Sequence, residues 1–68
     1  MMKTGDNVHC IFTMRRSKAY SSFGKPAQDG DHGKVVRVTE LKNVTIVEFE
    51  TVLGVVHSHI QNLIGEKL

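Results

Sequence analysis

Short runs of alternating residues, rich in β-branched side chains, constrain the fold of this chain more than any other feature. In residues 43–50, NVTIVEFE, the positions Thr45, Val47 and Phe49 share one face of an extended strand. The other face carries Glu48 and Glu50, which predicts that this face is solvated at its far end. No window of about twelve residues sustains the 3.6-residue period of a helix. The chain is therefore predicted to be all-β.

Two segments that precede this strand are also predicted to be strands. Residues 5–13, GDNVHCIFT, begin with a Gly-Asp turn pair and then alternate, so that Val8, Cys10 and Phe12 are predicted to face the core. Residues 33–40, GKVVRVTE, are β-branched, and the ELKN sequence after them is short enough for a hairpin turn.

The end of the chain is predicted to supply the last strands. Residues 51–57, TVLGVVH, are predicted to form a third strand of the hairpin series. In residues 58–61 a single helical turn is predicted, and NLIGE then forms a last short strand, because a small sheet needs a strand to cover its edge. The alternative is a short helix that begins at Ser58 and ends at Gly65.

Length and composition indicate one domain, residues 1–68, in a reducing compartment. A chain of 68 residues buries only about 60% of the surface that its unfolded form exposes, so its core is thin. The single cysteine, Cys10, cannot form an internal disulfide, and residues 1–6 are polar, unlike the start of a signal peptide. No segment approaches the roughly 20 apolar residues of a membrane span. These observations predict a cytoplasmic protein with no membrane association.

Residues 14–32 lose the alternation and are predicted to form one long loop. They contain Ser21, Ser22, Gly24, Pro26 and the sequence DGDHG, all typical of turns. The net charge of the chain is only +2, but residues 1–28 hold five Lys and Arg against one acid, whereas residues 29–68 hold four against six. Such an asymmetry steers an anionic partner to one side of a protein. The alternative is a solvated loop whose charges keep the protein soluble.

The sequence DGDHGKVVRVTELKNVTIVEFE resembles a KOW motif. Its matching positions are Gly30, Gly33, Lys34, Val35 and Val38, which fit the GxxGKVxxV core, and TGDNVHCI resembles the GDxVxV strand that precedes this core. KOW motifs occur in ribosomal proteins and transcription-elongation factors and belong to SH3-like barrels. The resemblance, over roughly residues 4–57, implies a small SH3-like barrel of four to five short antiparallel strands. It also implies binding to RNA, or docking on ribosomes or RNA polymerase.

The loop of residues 14–32 is where the chain departs from the KOW pattern, since typical KOW domains have only a short loop there. The chain is either a divergent KOW domain with an expanded first loop or another SH3-like barrel. The glycines have a structural explanation in both cases. A tight turn into a bent strand needs a positive φ or a close backbone approach, and Gly30 and Gly33 supply either one.

The loop and the strand after it carry the candidate nucleic-acid-binding residues. The basic side chains would neutralise phosphates, and the aromatic ones would stack on unpaired bases, at about 1–3 kcal/mol for each stack. These candidates are Arg15, Arg16, Lys18, Tyr20, Phe23, Lys25, Lys34 and Arg37. The alternative is a polar loop in which Phe23 lies on the barrel as a lid.

The sequence predicts no metal, cofactor or catalytic site. His57 and His59 lack further ligands at zinc spacing, and Asp29 and Asp31 lack the remaining oxygen ligands of a calcium loop. Cys10 is predicted to be a small buried hydrophobe.

Catalytic dyads and triads are also missing from the sequence. His9 and Cys10 are adjacent in a strand and therefore point to opposite faces. Ser21 and Ser22 have no evident base or orienting acid. The protein is therefore predicted not to be an enzyme.

The predicted partner is RNA or another single strand, or a nucleoprotein machine such as the ribosome or RNA polymerase. The rival hypothesis is a protein-interaction module, for instance a small inhibitor or accessory subunit that docks on a larger enzyme; the compact genome of a phage would suit such a protein. A third hypothesis is a subunit that forms homo-oligomers by pairing of edge strands.

Overall fold

A computed structural model of the chain describes residues 2–13 and 23–66. Within them five β-strands and one 3-10 turn, Ile60–Asn62, follow each other along the chain. The strands are Asn7–Cys10 (β1), His32–Glu40 (β2), Thr45–Thr51 (β3), Gly54–His59 (β4) and Leu63–Glu66 (β5). All neighbouring strands are antiparallel, and they form one sheet in the order β4-β3-β2-β1-β5. The all-β prediction is confirmed.

One face of this sheet forms the hydrophobic core. Every strand contributes to it, and so does one alanine from the segment before β2; the buried residues are Val8, Cys10, Ala27, Val35, Val47, Phe49, Val56 and Leu63. Because one face of all five strands meets in a single cluster, the sheet must curl around its own core. A β-bulge between Val35 and Arg37 in β2 contributes to this bend, since a bulge locally increases twist.

The segment that precedes β2 forms backbone hydrogen bonds with β4, an edge strand of the sheet, and with the end of β1, which lies between β2 and β5. Near Pro26, the N–H of Ala27 donates to the carbonyl of His57 in β4 at 2.8 Å. Farther along, the N–H of Gly30 donates to the carbonyl of Cys10 in β1 at 2.9 Å. These bonds satisfy backbone groups that an open sheet edge would leave unpaired.

β1 is shorter than its alternating sequence predicted. Val8 and Cys10 are fully buried, as expected, but the strand ends at Cys10 and Phe12 is 67% exposed. The prediction that Phe12 faces the core is therefore wrong. The physical reason is that the chain turns here, with the N–H of Ile11 donating to the carbonyl of Asn62 at 2.8 Å and no strand partner beyond it among the described residues.

The central hairpin follows the predicted alternation of β3. Val47 and Phe49 lie in the core, and Glu50, at the far end of the other face, is exposed. Ile46, nearer the start of β3 on the same face as Glu50, is fully buried, so this face is solvated only towards its far end.

The end of the chain agrees with the prediction of one helical turn and a closing strand. The 3-10 turn covers Ile60–Asn62, and β5 pairs with β1 and so covers its edge. The predicted strand 51–57 starts three residues late, at Gly54, because residues 51–54 form the turn of the β3–β4 hairpin. In the part of the chain that the structure describes, no helix has the length and hydrophobicity required to cross a membrane.

Gly30 and Gly33 have the two structural roles that the sequence suggested. Gly30 has a φ of +93°, in the region that favours glycine. Gly33 lies where β2 passes close to the end of β3, and a Cβ there would clash with the carbonyl oxygen of Glu50.

Substitution of Gly33 by alanine is expected to destabilise the protein. The added methyl group must displace the backbone of β3, so Gly33→Ala should lower the free energy of unfolding by about 1–3 kcal/mol. Urea unfolding followed by far-UV circular dichroism measures this. The matched control is Gly65→Ala in β5, where a Cβ meets only open space and φ is not positive. Equal stabilities of the two variants would contradict the steric role of Gly33.

Candidate nucleic-acid interface

The eight predicted binding residues fall into two groups. Four of them lie outside the described residues, namely Arg15, Arg16, Lys18 and Tyr20. The others have defined positions: Phe23 and Lys25 precede β2, and Lys34 and Arg37 lie on β2. Residues 14–22 are called the basic segment below, because they contain three Lys and Arg and no acid.

Both flanks of the basic segment are attached to the folded sheet. On one side, Thr13 Oγ1 accepts a hydrogen bond from the N–H of Asp29 at 3.1 Å. On the other side, the ring of Phe23 packs on the ring of His57 in β4, with 5.6 Å between the ring centroids and an interplanar angle of 34°. The described residues on both sides of the segment are thus held on the sheet.

Phe23 already has a partner in the fold. Its side chain is only partly exposed, and the contact with His57 occupies one side of the ring. A base that stacked on Phe23 would have to use the remaining surface or displace this contact. This position of Phe23 is compatible with the alternative prediction, in which Phe23 lies on the sheet as a lid. Lys25, two residues later, is exposed.

The two basic residues of β2 lie next to carboxylates on β3. Lys34 pairs in register with Glu50, and Arg37 pairs with Glu48. The Nε atom of Arg37 is 3.9 Å from Glu48 Oε1. A phosphate near these side chains would have to compete with the glutamates, which reduces what Lys34 and Arg37 can add to an anion-binding surface.

His57 lies between the sheet and the segment that closes it. It is almost fully buried, and its N–H donates to the carbonyl of Lys25 at 3.1 Å. Its Nδ1 atom is buried without a hydrogen-bond partner among the described residues. Burial lowers the pKa of His57 below its usual value of 6.5, although the carbonyl of Lys25 and the carboxylate of Glu48 act in the opposite direction.

Cys10 and the other histidines form no reactive group with each other. Cys10 is fully buried, its thiol donates to the carbonyl of Phe12, and burial raises the pKa of this thiol. His9 points to the opposite face of β1, where its Nδ1 atom is 3.8 Å from Glu66 Oε1. Within residues 2–13 and 23–66, no cluster of three His, Cys, Asp or Glu side chains is arranged to hold a metal ion.

Sequence reasoning missed one aromatic side chain beside the basic segment. Phe12 is largely exposed and lies two residues before Met14, the start of the segment. Hydrogen bonds at Ile11, Phe12 and Thr13 hold the backbone around it. The alternation of β1 assigned Phe12 to the core, and only the end of strand pairing at Cys10 places it outside.

Comparisons of the chain with protein-family models, with curated protein sequences and with solved structures found no match. The interface is therefore interpreted from its own residues.

Protonation of His57 is expected to make stability depend on pH. Because its folded pKa is lowered, the unfolded chain binds more protons below about pH 6.5, so stability is full above that pH and falls as the pH decreases. Urea unfolding at pH 7.5 and pH 5.5, both chosen to lie about one unit from the usual histidine pKa, measures the loss. His57→Gln removes this titration and should lose less stability over the same interval. Parallel losses in the two proteins would contradict the role of His57.

Proposed function

We propose that the protein is a non-catalytic SH3-like barrel that binds single-stranded nucleic acid, RNA or DNA, through the basic segment. The KOW resemblance implies this barrel, and a single curled sheet of five antiparallel strands is compatible with it. The positions of Gly30 and Gly33 at the entry to β2 also fit the GxxGKV turn.

Segregation of charge is the observation that carries the proposal. The described residues hold five Lys and Arg against seven Asp and Glu, so the sheet and its turns are slightly acidic. The basic segment holds Arg15, Arg16 and Lys18 without any acid, and Lys25 follows it. A phosphate backbone is therefore attracted to this segment and repelled by much of the remaining surface, which favours one orientation of the bound strand.

Aromatic residues beside and within the basic segment favour single strands over duplexes. Phe12 offers an uncovered ring on a fixed backbone beside the basic segment, and Tyr20 lies within the segment. Unpaired bases can stack on such rings, whereas the bases of a duplex are already stacked on each other. Base stacking was predicted for Phe23, but the ring of Phe23 contacts His57. Phe12 would take over this role.

The rival function, docking on a larger protein, is favoured by a different part of the surface. It involves the turn between β3 and β4, which lies outside the basic segment and is described in the next subsection.

Binding to a labelled single-stranded RNA is expected to weaken steeply as salt is raised. Each phosphate contact contributes a slope of about 0.7 in log K against log salt, so Arg15→Ala plus Arg16→Ala should reduce the slope by about 1.4. Fluorescence anisotropy at several salt concentrations measures it, with single-stranded DNA and duplex DNA for comparison. Lys3→Ala plus Lys42→Ala removes two exposed cations outside the segment and should leave the slope nearly unchanged.

Two results would contradict the proposed function. One is the absence of binding to RNA and to DNA at low salt. The other is an equal loss of slope in the two double variants, since this would show that net charge alone controls binding.

A further inference from the structure

The turn of the β3–β4 hairpin presents two aliphatic side chains to solvent. Val52 is 97% exposed and Leu53 is 80% exposed, the highest values among the large hydrophobic residues that the structure describes. Neither residue has a positive φ, so the turn backbone does not restrict these positions to Asn, Asp or Gly, and it does not require apolar residues there either. The side chains at this tip therefore do not follow from the needs of the turn.

Other residues stabilise this turn. Thr51 Oγ1 accepts a hydrogen bond from the N–H of Leu53 at 3.1 Å and donates one to the carbonyl of Gly54 at 2.8 Å. Gly54 has a φ of +118°, which glycine adopts without strain. Thr51 and Gly54 thus stabilise the backbone of the turn. The side chains of Val52 and Leu53 are not needed for this and are available to a binding partner. A rigid tip loses little conformational entropy when it binds.

The charges around the tip restrict what it can bind. The hairpin, residues 45–59, contains no Lys or Arg and carries Glu48 and Glu50, whose partners in register on β2 are Arg37 and Lys34. Glu50, two residues before Val52, is exposed and forms no ion pair with any residue that the structure describes. The hairpin thus offers no cation of its own to an anionic lipid surface or a phosphate backbone, whereas the exposed carboxylate of Glu50 attracts a lysine or arginine side chain of a protein.

The small area of the tip argues against a second copy of the chain as the occupant. A stable dimer buries about 800 Å² on each partner. The apolar residues here are Val52, Leu53 and the half-exposed Val55, which are too few to form such an interface with their own copies. Two projecting aliphatic side chains instead suit a concave site, where a few buried anchor residues contribute most of the affinity.

We propose that the β3–β4 turn inserts Val52 and Leu53 into an apolar pocket on a partner protein, with Lys or Arg at the rim of the pocket facing Glu50. This site shares no residue with the basic segment. The proposal rests only on the β3–β4 hairpin and stands whether or not the basic segment binds nucleic acid.

Site-specific photo-crosslinking in the source cells, followed by a binding assay, tests the proposal. Benzoyl-phenylalanine is placed at Leu53 and, as a matched control, at Leu41, a partly exposed leucine in the other hairpin turn. We expect a protein that crosslinks at position 53, and not at position 41, in the presence of nuclease. That protein is then purified and titrated with the wild type, with Leu53→Asn and with Leu41→Asn.

Leu53→Asn should weaken binding of the purified partner about tenfold or more, whereas Leu41→Asn should stay within about twofold of the wild type. Glu50→Lys should also weaken it, because it opposes the basic rim. Thermal unfolding should be nearly the same for Leu53→Asn and the wild type, since Leu53 makes no core contact. A loss of binding that follows a loss of folding would overturn the assignment.

Four other outcomes would overturn the proposal. In the crosslinking experiment, positions 41 and 53 could fail to differ in what they capture. In the titration, the purified protein could bind Leu53→Asn as well as the wild type. Sedimentation velocity could show a dimer that Leu53→Asn abolishes, which would make a second copy the occupant. Vesicles of phosphatidylcholine and phosphatidylglycerol could bind the wild type and not Leu53→Asn, which would make a lipid surface the occupant.

Discussion

Backbone hydrogen bonds from residues 25–31 to β4 and β1 are the constraint on which the rest of this structure depends. They connect β4, at one edge of the sheet, with the end of β1, and they hold the chain beside Ala27, which lies in the core. Without them, backbone groups of β4 at His57 and of β1 at Cys10 would lose their partners, and a core this small has little other stability to offset that loss. The same bonds hold the far flank of the basic segment on the sheet. Closure of the core and presentation of the segment are therefore one structural feature.

Two stretches of the chain differ in charge and in the exposed side chains that they carry or adjoin. The basic segment combines cations with a neighbouring exposed ring, Phe12, and suits a phosphate backbone with unpaired bases. The β3–β4 hairpin has no Lys or Arg and ends in two exposed aliphatic side chains, which suits a protein pocket. The register pairs of Lys34 with Glu50 and of Arg37 with Glu48 leave the middle of the sheet with little net charge.

The local sequence pattern predicted the fold where the position of a residue in a strand decides whether its side chain is buried or exposed. The alternation of β3 identified Val47 and Phe49 as core residues, and the need to cover a sheet edge predicted the 3-10 turn and β5. The pattern gave the wrong environment for Phe12, because alternation does not reveal the residue at which strand pairing stops. The end of pairing in β1 depends on β5 and on residues 30–31, which are far away in the sequence. The buried position of His57 and the pairing of Pro26 beside it also depend on tertiary contacts that no local window contains. The basic segment could be recognised from composition alone, whereas the exposed tip at Val52 and Leu53 became visible only when the turn was placed between β3 and β4.

The measurement that tests the central claim most directly is an NMR titration of the ¹⁵N-labelled protein with single-stranded RNA at low salt. If the basic segment is the nucleic-acid site, amide signals of residues 11–25 should shift or broaden first, while those of Val52 and Leu53 at the hairpin tip should stay in place. The amides of the core strands should move little, because the sheet serves only as a scaffold. Changes confined to residues 50–55, or no changes at any RNA concentration, would contradict a nucleic-acid site in the basic segment.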